Sequence, residues 1–111
     1  MITRRAVSFG LALLVVPGLA QAQQVRRKAM EEIFRRFSYD QRARIQKKLA
    51  AAGVYNLGID GQYGPGTEGG LIRGAAFLNK NSVVVDLSSV QGIVDYYRGI
   101  LNGSFDRYIY R

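Results

Sequence analysis

Val54-Tyr55-Asn56-Leu57-Gly58-Ile59-Asp60-Gly61-Gln62-Tyr63-Gly64-Pro65-Gly66 is the stretch on which the reading of the fold turns. Asp60-Gly61 is a strong turn signal, so the stretch is a loop. Leu57 and Ile59 are apolar within it and are expected to pin it to a core. Thr67 follows Pro65-Gly66 and reads as a helix N-cap, with Glu68 in the first turn favouring the helix dipole.

Periodic segments lie on both sides. Upstream, Gln41 to Ala52 places Ile45, Leu49 and Ala52 on one face among Arg42, Arg44, Lys47 and Lys48. Ser38 or Asp40 is placed to cap that helix, and Gly53 to end it in left-handed conformation. Further upstream, Val25, Ala29, Ile33 and Phe37 recur at steps of four, widened by Met30 and Phe34 and flanked by basic residues. That stripe predicts a core-facing amphipathic helix with a solvated basic side. Downstream, Glu68 to Leu78 is a weak helix, because Gly69, Gly70 and Gly74 each cost about 1 kcal/mol relative to Ala. It needs packing through Leu71, Ile72, Ala75 and Leu78.

After a polar link at 79–82, Val83-Val84-Val85 suits a short extended segment. Ser88-x-x-Gln91 reads as a capping box. Val90, Ile93, Val94, Tyr97 and Leu101 follow helical spacing until Asn102-Gly103, and Phe105, Tyr108 and Tyr110 form an aromatic tail. The expectation is an all-α small helical bundle, with a three-helix core and an extra C-terminal helix.

Composition narrows the chemistry. The chain has 111 residues, which suits one domain, and 48% are hydrophobic, enough for a small core. It has no Cys and no His, so disulfides, thiolate metal sites, a Cys nucleophile and an imidazole base are excluded. Neither a cofactor nor a metal site is expected. The glycine spacing of 61–66 lacks the Lys of a phosphate-binding loop, and Gln62 and Gly64 break a calcium-loop pattern.

The N-terminal 22 residues read as a secretory signal. Arg4-Arg5 precede an apolar run too short to span a bilayer, and Ala20-Gln21-Ala22 gives a small-x-small cleavage pattern. Cleavage near Ala22 removes two of the 16 basic residues and leaves 14 against 8 acidic, a balance of +6. A periplasmic or secreted envelope protein with no transmembrane span in its mature chain is expected. The segments are a signal at 1–22, an amphipathic helix at 23–40, a core at 41–81 and a C-terminal helix with its tail at 82–111.

The frame Ile45-Gln46-x-x-Leu49-x-x-x-Gly53-x-Tyr55, followed by Ile59-Asp60-Gly61-x-Tyr63-Gly64-Pro65-Gly66-Thr67-Glu68, resembles the peptidoglycan-binding-like domain. That family is a small three-helix module found on cell-wall hydrolases and other envelope proteins. The resemblance covers about a third of the chain. It departs after Thr67, where the family continues Ala-Val-x-x-Phe-Gln and this chain has Gly70-Leu71-x-x-Gly74-Ala75, the aromatic returning later as Phe77. The implied function is non-catalytic binding of peptidoglycan, through its glycan or stem peptide. The alternative is an envelope interaction subunit on the same scaffold, docking through Tyr96-Tyr97 and the aromatic tail. A specific nucleic-acid role is not expected.

The residues allow the same reading by their chemistry. Asp60 suits an Asx turn, and Gly61 and Gly64 permit positive φ or close backbone approach. Tyr63 is expected to present its ring outward to a sugar face. Thr67 opens a helix whose free amides can receive an anion. Tyr55 and Arg73 complete the expected ligand-binding set of Tyr55, Asp60, Gly61, Tyr63, Gly64, Thr67 and Arg73. No catalytic residue is expected.

Overall fold

A computed structural model describes residues 26–109. The segment expected to be a signal with its expected cleavage point, Val25 and Tyr110 lie outside the described residues. Helix α1 runs over 26–36, α2 is Tyr39–Ala51, α3 Pro65–Lys80, α4 Val90–Asn102 and α5 Asp106–Ile109. Among the described residues there is no strand, and the fold is the all-α bundle expected.

Each helix forms for a local reason. Met30, Ile33 and Phe34 carry α1 into the interior, so the stripe centres one residue past the expected series. Ser38 begins α2 through a complete capping box. Its hydroxyl accepts from the Gln41 amide while the Gln41 side chain accepts from the Ser38 amide. The helix therefore starts at Tyr39 rather than Gln41. Gly53, at φ 79°, turns the chain away after Ala52.

Helix α3 starts earlier than expected, and Thr67 is not its cap. Gly64 occupies that place with extended backbone and no side-chain bond, and Pro65 takes the first helical position. Proline is favoured there because it lacks an N–H the helix would leave unpaired and has a helix-compatible φ. Thr67 is thus drawn into the first turn and buried. At α4 the cap is Ser89, which accepts from the Gly92 amide. Ser88, expected in that role, instead bonds the Asp86 carboxylate. Gly103, at φ 84°, ends the helix as Asn102-Gly103 foretold. Residues 83–86 are non-helical, with Val85 turned into the core and clamped by the Asn79 side chain through its amide and carbonyl.

One apolar core takes side chains from α1, α2, α3 and α4 together. Tyr97 is fully buried and its hydroxyl donates to the Met30 carbonyl at 2.7 Å, fastening α4 to α1. Tyr96 is also buried and donates to the Leu71 carbonyl at 2.7 Å, fastening α4 to α3. The rings of Phe34 and Phe37 meet Tyr97 edge-on, and Phe105 covers Tyr96. Tyr96 and Tyr97 therefore belong to the interior and offer no docking surface, correcting the docking role expected of these two residues.

The same packing explains the departure at Gly74. A Cβ there would lie 2.7 Å from the Tyr96 hydroxyl oxygen. With no side chain at Gly74, a tyrosine from α4 occupies the space beside α3. Phe77, one turn further on, is exposed. The glycines that weaken α3 by propensity thus let neighbouring elements approach it closely. At Gly70 a Cβ would stand 3.1 Å from the Val54 carbonyl oxygen.

Candidate functional site

The connection between α2 and α3 is built around a side chain of α2. Gln46 lies on the apolar face of that helix with no solvent exposure. Its Oε1 accepts from the amides of Asp60 (3.0 Å) and Gly61 (2.8 Å). Its Nε2 faces Asp60 Oδ1, the Gln62 carbonyl and Thr67 Oγ1, each at 3.1 Å, and the Tyr55 hydroxyl at 3.4 Å. One amide carries only two donor hydrogens, so they are shared among these acceptors. A loop has no ladder of its own, and buried backbone groups left unpaired are costly. Gln46 supplies the missing partners.

The loop then completes itself. Asp60 Oδ1 accepts from the Gln62 amide at 3.0 Å, an Asx turn as expected. That amide, followed by the Gln46 side chain, holds the Asp60 carboxyl below its ordinary value. Thr67 donates to the Gln62 carbonyl at 3.0 Å, and the Tyr55 hydroxyl donates to the Gly58 carbonyl. Gly61 adopts φ 70°, and the Tyr39 ring lies against its Cα where a Cβ would be 2.7 Å away. Any side chain at 61 would meet both obstacles.

These contacts revise the expected ligand set. Tyr55 and Thr67 are 6% and 3% exposed and support the loop from inside. The Asp60 and Gly61 amides are consumed by Gln46, so they are not open donors. Tyr63 does not face outward. Its ring is half-buried and tilted against Phe34 with centroids 5.4 Å apart. Its hydroxyl donates to Glu68 Oε1 at 3.1 Å, and burial, then the Glu68 charge, raises its pKa. Glu68 also takes Arg27 at 2.7 Å. Gly64 serves as the cap of α3. Arg73 is exposed but stands apart from the loop tip, donating to the Val54 carbonyl at 2.8 Å. Leu57 and Ile59 do not pin the loop. They are 60% and 36% exposed, with Leu57 lying over Gly66.

What the loop leaves open is a notch of about 130 Å³, lined by Phe34, Arg35, Arg42, Gly61, Gln62 and Tyr63. Arg42 comes from the same face of α2 as Gln46 and is half-buried. Its Nε donates to the Gly61 carbonyl at 2.7 Å and its Nη1 to the Phe37 carbonyl, so the guanidinium bridges the loop and the end of α1. Arg35 is paired with Glu31 at 2.6 Å. Among the described residues no cluster of His, Cys, Asp or Glu could hold a metal.

Gln46 and Arg42 are the residues that the expected set omits. Both carry a legible signal: a polar or charged residue on the apolar face of an amphipathic helix, beside Ile45 and Leu49. No family model, curated protein or solved structure matches the chain.

Proposed function

We propose that the chain is a non-catalytic module that binds peptidoglycan in a bacterial envelope. The observation that supports this reading most is the closure of the two resembling sequence blocks onto each other through Gln46. Residues far apart in the two blocks meet at one amide, which supports reading the blocks as parts of one loop. Beside that loop stand Arg35 and Arg42, on a chain whose balance favours positive charge. Such a surface draws anionic polymers. Purified protein should therefore sediment with insoluble peptidoglycan at low ionic strength and be released as salt is raised. Failure to sediment at low salt would reject the reading.

A specific observation supports a second reading. Tyr39, Leu57 and Ile59 are exposed and apolar around the same loop. They suit an envelope protein partner, with the polymer site lost. Recovery of a stoichiometric partner from envelope extract cleared of wall polymer would favour it.

A further inference from the structure

Arg42 is a half-buried cation that forms no ion pair among the described residues. Burying a charge is costly unless it is paired. The guanidinium has five N–H donors, and its recorded bonds go from Nε and Nη1 to two backbone carbonyls. Nη2 makes no bond among the described residues. The two carbonyls come from different elements, so they fix the plane of the group while one nitrogen stays unspent. The neighbouring Arg35 is matched by Glu31, which leaves Arg42 as the uncompensated charge of the notch.

We infer that the notch is a carboxylate-binding subsite, and that within the peptidoglycan-binding reading, on which this step rests, it takes the free carboxylate of a stem peptide and not a sugar. Size supports the choice. Drug-sized ligands occupy pockets of about 300–1,000 Å³. A notch of about 130 Å³ holds a terminal group only. Chemistry supports it too, because a fixed guanidinium is suited to a planar carboxylate. The aromatic that sugar stacking would use, Tyr63, is turned against Phe34.

The test is an NMR titration of the whole mature chain with acetyl-D-alanyl-D-alanine, its C-terminal amide and the L,L acid, read at the Gly61 amide and the Arg42 Nε–H. The D,D acid should shift both signals saturably, and the neutral amide should not. Arg42→Lys should weaken binding about tenfold by losing the planar fork. Because that change also removes loop bonds, Gln62→Glu serves as the second variant. Gln62 is exposed at the notch and its side chain makes no recorded bond, so an added carboxylate there should lower affinity about threefold through like-charge repulsion, with an unchanged melting temperature.

Equal shifts from acid and amide, or Gln62→Glu binding as tightly as wild type, would overturn the subsite. Preference for the L,L acid would overturn the stem-peptide assignment. Sedimentation with peptidoglycan separates the two levels. If it persists without acid-specific shifts, the subsite alone fails. If acid-specific shifts persist without sedimentation, the wall-binding reading fails and the stem-peptide assignment falls with it.

Discussion

Two parts of this bundle are fastened by opposite means. The α2–α3 loop is held by a buried amide that reaches backbone groups and side chains along 60–67. Helix α4 is held by two tyrosine rings, each adding one hydroxyl bond to a carbonyl of another helix. The difference follows from the backbone. A helix satisfies its own N–H and C=O groups, so it needs only side-chain packing to stay in place. A loop does not, so whatever buries it must also bond it. Gln46 does for irregular chain what the helical ladder does for α4.

The contrast predicts unequal losses. Gln46→Leu keeps the volume but leaves the Asp60 and Gly61 amides without a protein partner, the second of them buried. With an orphaned buried group costing about 1–3 kcal/mol, the network as a whole should cost about 3 kcal/mol. That corresponds to a fall in melting temperature of more than about 10 °C for a domain of this size. Thermal melts by circular dichroism measure it directly. A loss under about 1 kcal/mol would mean that the loop is held by something other than this amide.

Tyr97→Phe should cost less, although Tyr97 is just as deeply buried. The ring remains, and with it the edge contacts to Phe34 and Phe37. The Met30 carbonyl it abandons lies within α1 and keeps its place in the helical ladder. The expected loss is about 1 kcal/mol, or about 5 °C. If this variant proved as damaging as Gln46→Leu, the distinction between packing and bonding would collapse.

The sequence conveyed these two parts unequally, for the same reason. Helices are legible because burial of one face imposes a period. The helical period of α4 and its stop at Asn102-Gly103 could be read directly, and so could Ile45 and Leu49 on the apolar face of α2. The α4 stripe was centred wrongly, however: Ile93 and Tyr97 are buried as expected, Val90 is exposed, and the buried Tyr96 and Ile100 were not in the expected series. The loop has no period. Its turn residues announced that the chain bends at Asp60-Gly61, but nothing local said which groups would be consumed there. Thr67 and Tyr55 are types that serve equally well as cap, ligand contact or internal brace. The choice between those roles was made by Gln46, well upstream in the sequence. Tyr63 is similar, since its inward tilt depends on Phe34 of α1 and Glu68 of α3. The glycine at 74, within a helix it weakens, made sense only once Tyr96 was seen to pack against it.

The smallest expected effect tests whether Asp60 belongs to the bonded network through its charge or only through its shape. The Gln62 amide and the Gln46 side chain both donate to this carboxylate, which lowers its pKa below the ordinary 3.8. Between the lowered folded value and the unfolded one, the unfolded chain binds more protons, so stability rises with pH across that window. The contribution is complete above the ordinary carboxylate range and is lost as pH falls through the folded value. Asp86 is depressed in the same sense by the Ser88 hydroxyl and amide, so acid denaturation of wild type contains both groups. Asp60→Asn isolates one of them. Its Oδ1 can still accept the same two bonds, so stability near neutral pH should change little. The acid limb, measured by urea denaturation between about pH 5 and pH 2, should become flatter, because one differential proton site is gone. An acid limb as steep as wild type would show that Asp60 is held by geometry alone, and that the Gln46 network draws nothing from its charge.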